Sequence, residues 1–74
     1  MARISGDKGG FKCADGWDVP GTPVQANDLN DCAGKCGSTA MCVMYSSNER
    51  KCYCKTVMGL NPNPDGNWTA RLMV

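Results

Sequence analysis

The chain has 74 residues, six cysteines, no histidine and a formal net charge of +1. A chain of this size makes one small domain whose apolar core is too thin to be secure without covalent help. Its charges form no basic stripe for nucleic acid, no apolar run reaches the roughly 18 residues of a membrane span, and the lack of histidine excludes Ser-His, Cys-His and His-metal sites.

Residues 1–10 are polar and glycine-rich and read as a flexible lead-in, with residues 11–74 as the single stapled domain. Met1-Ala2-Arg3-Ile4-Ser5-Gly6 carries no apolar secretory h-region, so the expectation is a mature domain or one module of a longer chain. A first strand is expected near Phe11-Lys12-Cys13, then a short extended run at Trp17-Asp18-Val19 and a turn at Pro20-Gly21.

The clearest helix spans residues 28–36. Asn27 is the expected N-cap, Asp28 and Asp31 put acid in the first turn, Lys35 puts a base in the last, and Gly37 follows as the left-handed stop. Leu29, Cys32, Ala33 and Cys36 share one helical face. Gly34 weakens the helix by about 1 kcal/mol relative to alanine, so packing and disulfides must hold it.

Cys42–Ser46 and Lys51–Val57 are β-rich and flank the polar turn Ser47-Asn48-Glu49-Arg50, which predicts an antiparallel hairpin. Alternation puts Cys42 and Met44 on one face and Val43 and Tyr45 on the other, while Cys52 and Cys54 share a face. A helix laid across the face of Cys52 and Cys54 would bring Cys32 and Cys36 to them. Residues 59–67 read as an exposed irregular loop, and Trp68–Val74 as a closing strand.

So many cysteines in a short chain predict disulfides and an oxidising, extracellular compartment. Spacing alone does not choose among the fifteen pairings that six cysteines allow. Cys-x3-Cys and Cys-x-Cys are also thiolate spacings, but with no histidine and no Cys-x2-Cys pair, zinc is not the expected state. No cofactor or metal is expected.

From Val19 to Lys55 the chain resembles a PAN/apple domain. The matching features are the Pro20-Gly21 turn with apolar Val24, the helix bearing Cys32-x3-Cys36, Cys42 with Tyr45 three residues on, and the returning Cys52-Tyr53-Cys54-Lys55. Cys54 stands where that family normally has an aliphatic residue. Gly66-Asn67-Trp68-Thr69 is similar to the way many such domains end. The resemblance covers roughly half to two-thirds of the chain. It implies an α+β fold, one short helix packed on a curved antiparallel sheet, with bridges Cys32–Cys52 and Cys36–Cys42. Cys13 and Cys54 are then left for each other, because no cysteine follows Cys54 to make the family's terminal bridge. A swap joining Cys32 to Cys54 stays open, since Cys52 and Cys54 share a face. In the chain-entropy model the long Cys13–Cys54 loop stabilises by about 4 kcal/mol and the short Cys36–Cys42 loop by roughly 2 kcal/mol.

Catalysis has little to stand on. Asp15 and Asp18 are a nominal carboxylate pair, but solvated turn residues are the better reading in a chain too small for a deep cleft. Arg50-Lys51 is a charged hairpin turn before it is a protease target. Binding has better candidates: Tyr45, Tyr53 and Trp68 as amphipathic anchors beside Lys55, with Trp17 a further aromatic. Val43, Tyr45, Tyr53 and Lys55 are expected on the sheet face away from the helix, with residues 59–67 and Trp68 as its rim. Lys12 and Asp31 are expected to lie away from that site. Asn67-Trp68-Thr69 matches an N-glycosylation acceptor. The expected function is a non-catalytic extracellular recognition or adhesion module for carbohydrate or protein, monomeric or within a larger chain. The alternative is a stand-alone secreted effector, inhibitor or toxin-like protein presenting the proline-rich loop.

Overall fold

The computed structural model describes residues 8–16, 19, 23–64 and 66–73. Trp17, Asp18 and the expected Pro20-Gly21 turn lie outside them. In chain order the elements are β1 (Lys8–Gly9), β2 (Phe11–Cys13), β3 (Val24–Gln25), α1 (Leu29–Cys36), a 3-10 turn at Gly37–Thr39, β4 (Cys42–Ser46), β5 (Lys51–Lys55), β6 (Leu60–Pro62) and β7 (Trp68–Leu72). The result is a small, disulfide-rich α+β domain with one short helix packed on an antiparallel sheet.

Five strands form the sheet in the order β1-β7-β4-β5-β3, every neighbouring pair antiparallel. The β-rich hairpin supplies its centre, so β4 is paired on both sides and buried along its whole length. Two segments expected to be irregular join ladders. Lys8–Gly9, inside the expected lead-in, pairs with β7 as an edge strand. Leu60–Pro62, inside the expected loop, pairs with β2 as a separate two-stranded ribbon. Pro62 sits at the end of that short strand, where its missing N–H costs little.

The helix lies on one face of the sheet and the ribbon on the other. The helix face buries Leu29, Cys32, Cys36, Val43, Tyr45, Cys52 and Cys54 together with Ala26 and Ala40. On the ribbon face Cys13, Cys42, Met44 and Ala70 pack with Phe11, Tyr53, Leu60, Trp68 and Leu72. Among the described residues no helix is long and apolar enough to cross a membrane.

Capping places the helix start one residue later than expected. Asp28, not Asn27, is the N-cap: its Oδ1 accepts the Asp31 N–H at 2.7 Å, and Asp31 Oδ2 accepts the Asn27 N–H at 3.0 Å. Two otherwise orphaned donors are thereby satisfied. Gly37 ends the helix at φ 72°, its N–H bonded to the Ala33 carbonyl. Lys35 Nζ donates to the Gln25 carbonyl at 2.7 Å and lies 3.3 Å from Asp31 Oδ2, tying the last turn to β3.

Three disulfides close the fold: Cys13–Cys42, Cys32–Cys52 and Cys36–Cys54. The expected Cys36–Cys42 and Cys13–Cys54 pairs are replaced, and register is the reason. Val43 lies opposite Cys54 and Tyr45 opposite Cys52, so Val43 and Tyr45 face the helix. Cys42 lies opposite Lys55 and therefore points away from Cys36, toward the ribbon that carries Cys13. A one-residue slip in an assumed register turns every side chain of a strand to the other face. The sequence separations are 29, 20 and 18 residues, so in the chain-entropy model each bridge stabilises by about 3–4 kcal/mol. No bridge closes a loop as short as Cys36–Cys42 would have.

Candidate ligand-binding face

Among the described residues, aromatic side chains reach solvent on the ribbon face. Tyr53 follows from the alternation of β5, between two cysteines that face the helix. Trp68 opens β7, and its carbonyl accepts the Gly10 N–H at 2.8 Å, which fixes the strand start against the turn after β1. Both side chains are half-buried, and their rings meet at a centroid distance of 5.5 Å with planes tilted by 44°. That separation suits a favourable quadrupole contact and leaves ring surface accessible.

Lys12 completes the group. Its Nζ lies 5.5 Å from the centroid of the Trp68 ring, within cation–π range. Sequence reasoning set this lysine apart from the site, because nothing in Phe11-Lys12-Cys13 tells which strand the segment will cross. The missing signal is β6: without that strand there is no ribbon to carry β2 beside Trp68.

Lys55 shares the strand face of Tyr53, is half-buried, and its carbonyl accepts the Met41 N–H at 2.8 Å. Tyr45 does not belong to this face. It is 8% exposed, packed under the helix, and its hydroxyl donates to the Ala26 carbonyl at 3.1 Å. Of the four sequence candidates, then, Tyr53 and Trp68 touch, Lys55 lies on the same face, and Tyr45 is core.

The segment leading into Trp68 is held from the hairpin. Ser47 donates to the Asn67 carbonyl through its backbone N–H at 3.0 Å and through Oγ at 3.2 Å. Asn67 itself is exposed beside the aromatic pair. Arg50 closes the hairpin turn at φ 54°, and Arg50 and Lys51 are both exposed. Asp15 is exposed, and Asp18 lies outside the described residues. Among the described residues no pocket forms. Compared with models of known protein families, with curated proteins and with solved structures, the chain finds no match.

Proposed function

We propose that the protein is a non-catalytic extracellular recognition module of PAN/apple type, which binds a glycan or a protein surface through Tyr53, Trp68 and Lys12, with Lys55 alongside. One observation carries this reading: two half-exposed aromatic rings in contact, with an ammonium group over one of them. Rigid aromatic area next to a cation lets a ligand bury apolar surface while its polar groups find a donor, at little cost in side-chain entropy. The Cys13–Cys42 bridge, which pins ribbon to sheet, supports pre-organisation of this face. Three disulfides in a short chain support an oxidising compartment. Of the two bridges the resemblance implies, Cys32–Cys52 forms and supports it, whereas Cys36 pairs with Cys54 in place of Cys42.

A glycan array followed by chemical-shift titration with the best hit tests the proposal. Shifts centred on the Trp68 indole, Tyr53 and Lys12 are the expected result. Shifts centred on the helix, or hydrolysis of the hit, would overturn it.

A further inference from the structure

The two disulfides on the helix face lie side by side. Cys36 Sγ is 3.5 Å from Cys52 Sγ although each is bonded to a different partner. The sulfurs of Cys32, Cys36 and Cys52 all lie within 4.8 Å of one another, and Cys54 is bonded to one of them. Two elements converge here for separate reasons. The helix presents cysteines at i and i+4 on one face, and β5 presents them at i and i+2 on the opposing face. All four residues are buried, from 0% to 7% exposed.

A tetrahedral zinc thiolate has Zn–S bonds of about 2.3 Å, so its sulfurs stand roughly 3.8 Å apart. Three of the sulfurs already lie within 4.8 Å of one another, and Cys54, bonded to Cys36 and buried on the same face, is the fourth sulfur at hand once the bridges are open. We propose that under reduction Cys32, Cys36, Cys52 and Cys54 bind one zinc ion as a tetrathiolate, and that this centre replaces the two disulfides as the link between helix and hairpin. A dithiol reductant supplies two electrons and two protons to each bridge and leaves as its own disulfide. The four thiols then release four protons to solvent as the four Zn–S bonds form. Cys13 and Cys42 take no part. They lie on the far face of the sheet and offer only two sulfurs.

The test uses the full chain, reduced under anaerobic conditions with a phosphine that binds metal weakly, and titrated with Co2+ and then Zn2+. The expected result is one Co2+ per chain with intense tetrahedral visible bands and a thiolate charge-transfer band, both removed by one equivalent of Zn2+. Zinc should also restore the far-ultraviolet helix signal and cooperative unfolding. The Cys13→Ser/Cys42→Ser double variant should bind with affinity within about threefold of the parent, and Cys36→Ser should bind at least about tenfold more weakly. Octahedral spectra, metal taken up without recovery of structure, or binding lost in the double variant would each overturn the proposal.

Discussion

Cys42 stands directly opposite Lys55 in the β4–β5 ladder. This pairing sends the Cys42 sulfur to the ribbon face and leaves Cys36 to Cys54. Peptide mapping without reduction is expected to recover Cys13–Cys42, Cys32–Cys52 and Cys36–Cys54. Cys13→Ser/Cys42→Ser should lower stability by about 3–4 kcal/mol in the chain-entropy model. It should shift the Trp68 indole resonance while leaving helix resonances in place. A Cys36–Cys42 peptide would overturn the register.

Ligand binding, once a ligand is in hand, is expected to fall about tenfold or more for Trp68→Ala and Tyr53→Ala. Lys12→Ala should weaken it by a smaller factor, in keeping with a cation–π contact worth ~0.5–1 kcal/mol at an exposed site. Lys55→Ala should also weaken it, and Asp31→Ala on the helix should not. Each variant needs an unchanged spectrum before its affinity is read. Full binding by both Trp68→Ala and Lys12→Ala would move the site elsewhere.

Tyr45→Phe separates core from surface. The Tyr45 hydroxyl bonds the Ala26 carbonyl in a buried setting, so its loss should cost about 1–2 kcal/mol in denaturant unfolding. Affinity for the ligand should stay the same.

Two glycines near the helix end should respond in opposite directions to alanine. At neither Gly34 nor Gly37 would a Cβ meet another atom within 4 Å, so backbone conformation decides both. Gly34 is in the helix interior, and Gly34→Ala should stabilise by about 0.5–1 kcal/mol. Gly37 has φ 72° and ψ −161°, a region other residues avoid. Gly37→Ala should destabilise by about 1–3 kcal/mol. Thermal unfolding of the pair checks this, and a shared sign would contradict the capping geometry.

Acid should loosen the helix start. The Asn27 backbone N–H, and after it Lys35, hold the Asp31 carboxyl below its ordinary pKa of 3.8. Because the folded value lies below the unfolded one, this contribution is complete above the unfolded pKa and disappears as pH falls through the folded one. The melting temperature should therefore drop below roughly pH 4, and Asp31→Asn should flatten that part of the profile. A profile unchanged by the substitution would show that the Asp31 carboxylate adds nothing to stability.

Local chemistry alone determined the helix, the hairpin and the closing strand. Periodicity places Leu29, Cys32 and Cys36 on one face, and Ser47–Arg50 separates two β-rich runs, whatever the rest of the chain does. The same alternation brings Cys52 and Cys54 to the helix cysteines. Tertiary structure decided everything that depends on register and on long-range pairing. Whether Cys42 or Val43 faces the helix turns on a one-residue shift between strands that no turn motif here specifies. Strand β6 is hidden in an Asn- and Pro-rich segment because pairing with β2, rather than intrinsic propensity, makes it extended. Lys12 reaches Trp68 for the same reason: the two residues are far apart in the chain, and only the packing of a ribbon on a sheet puts the ammonium over the ring.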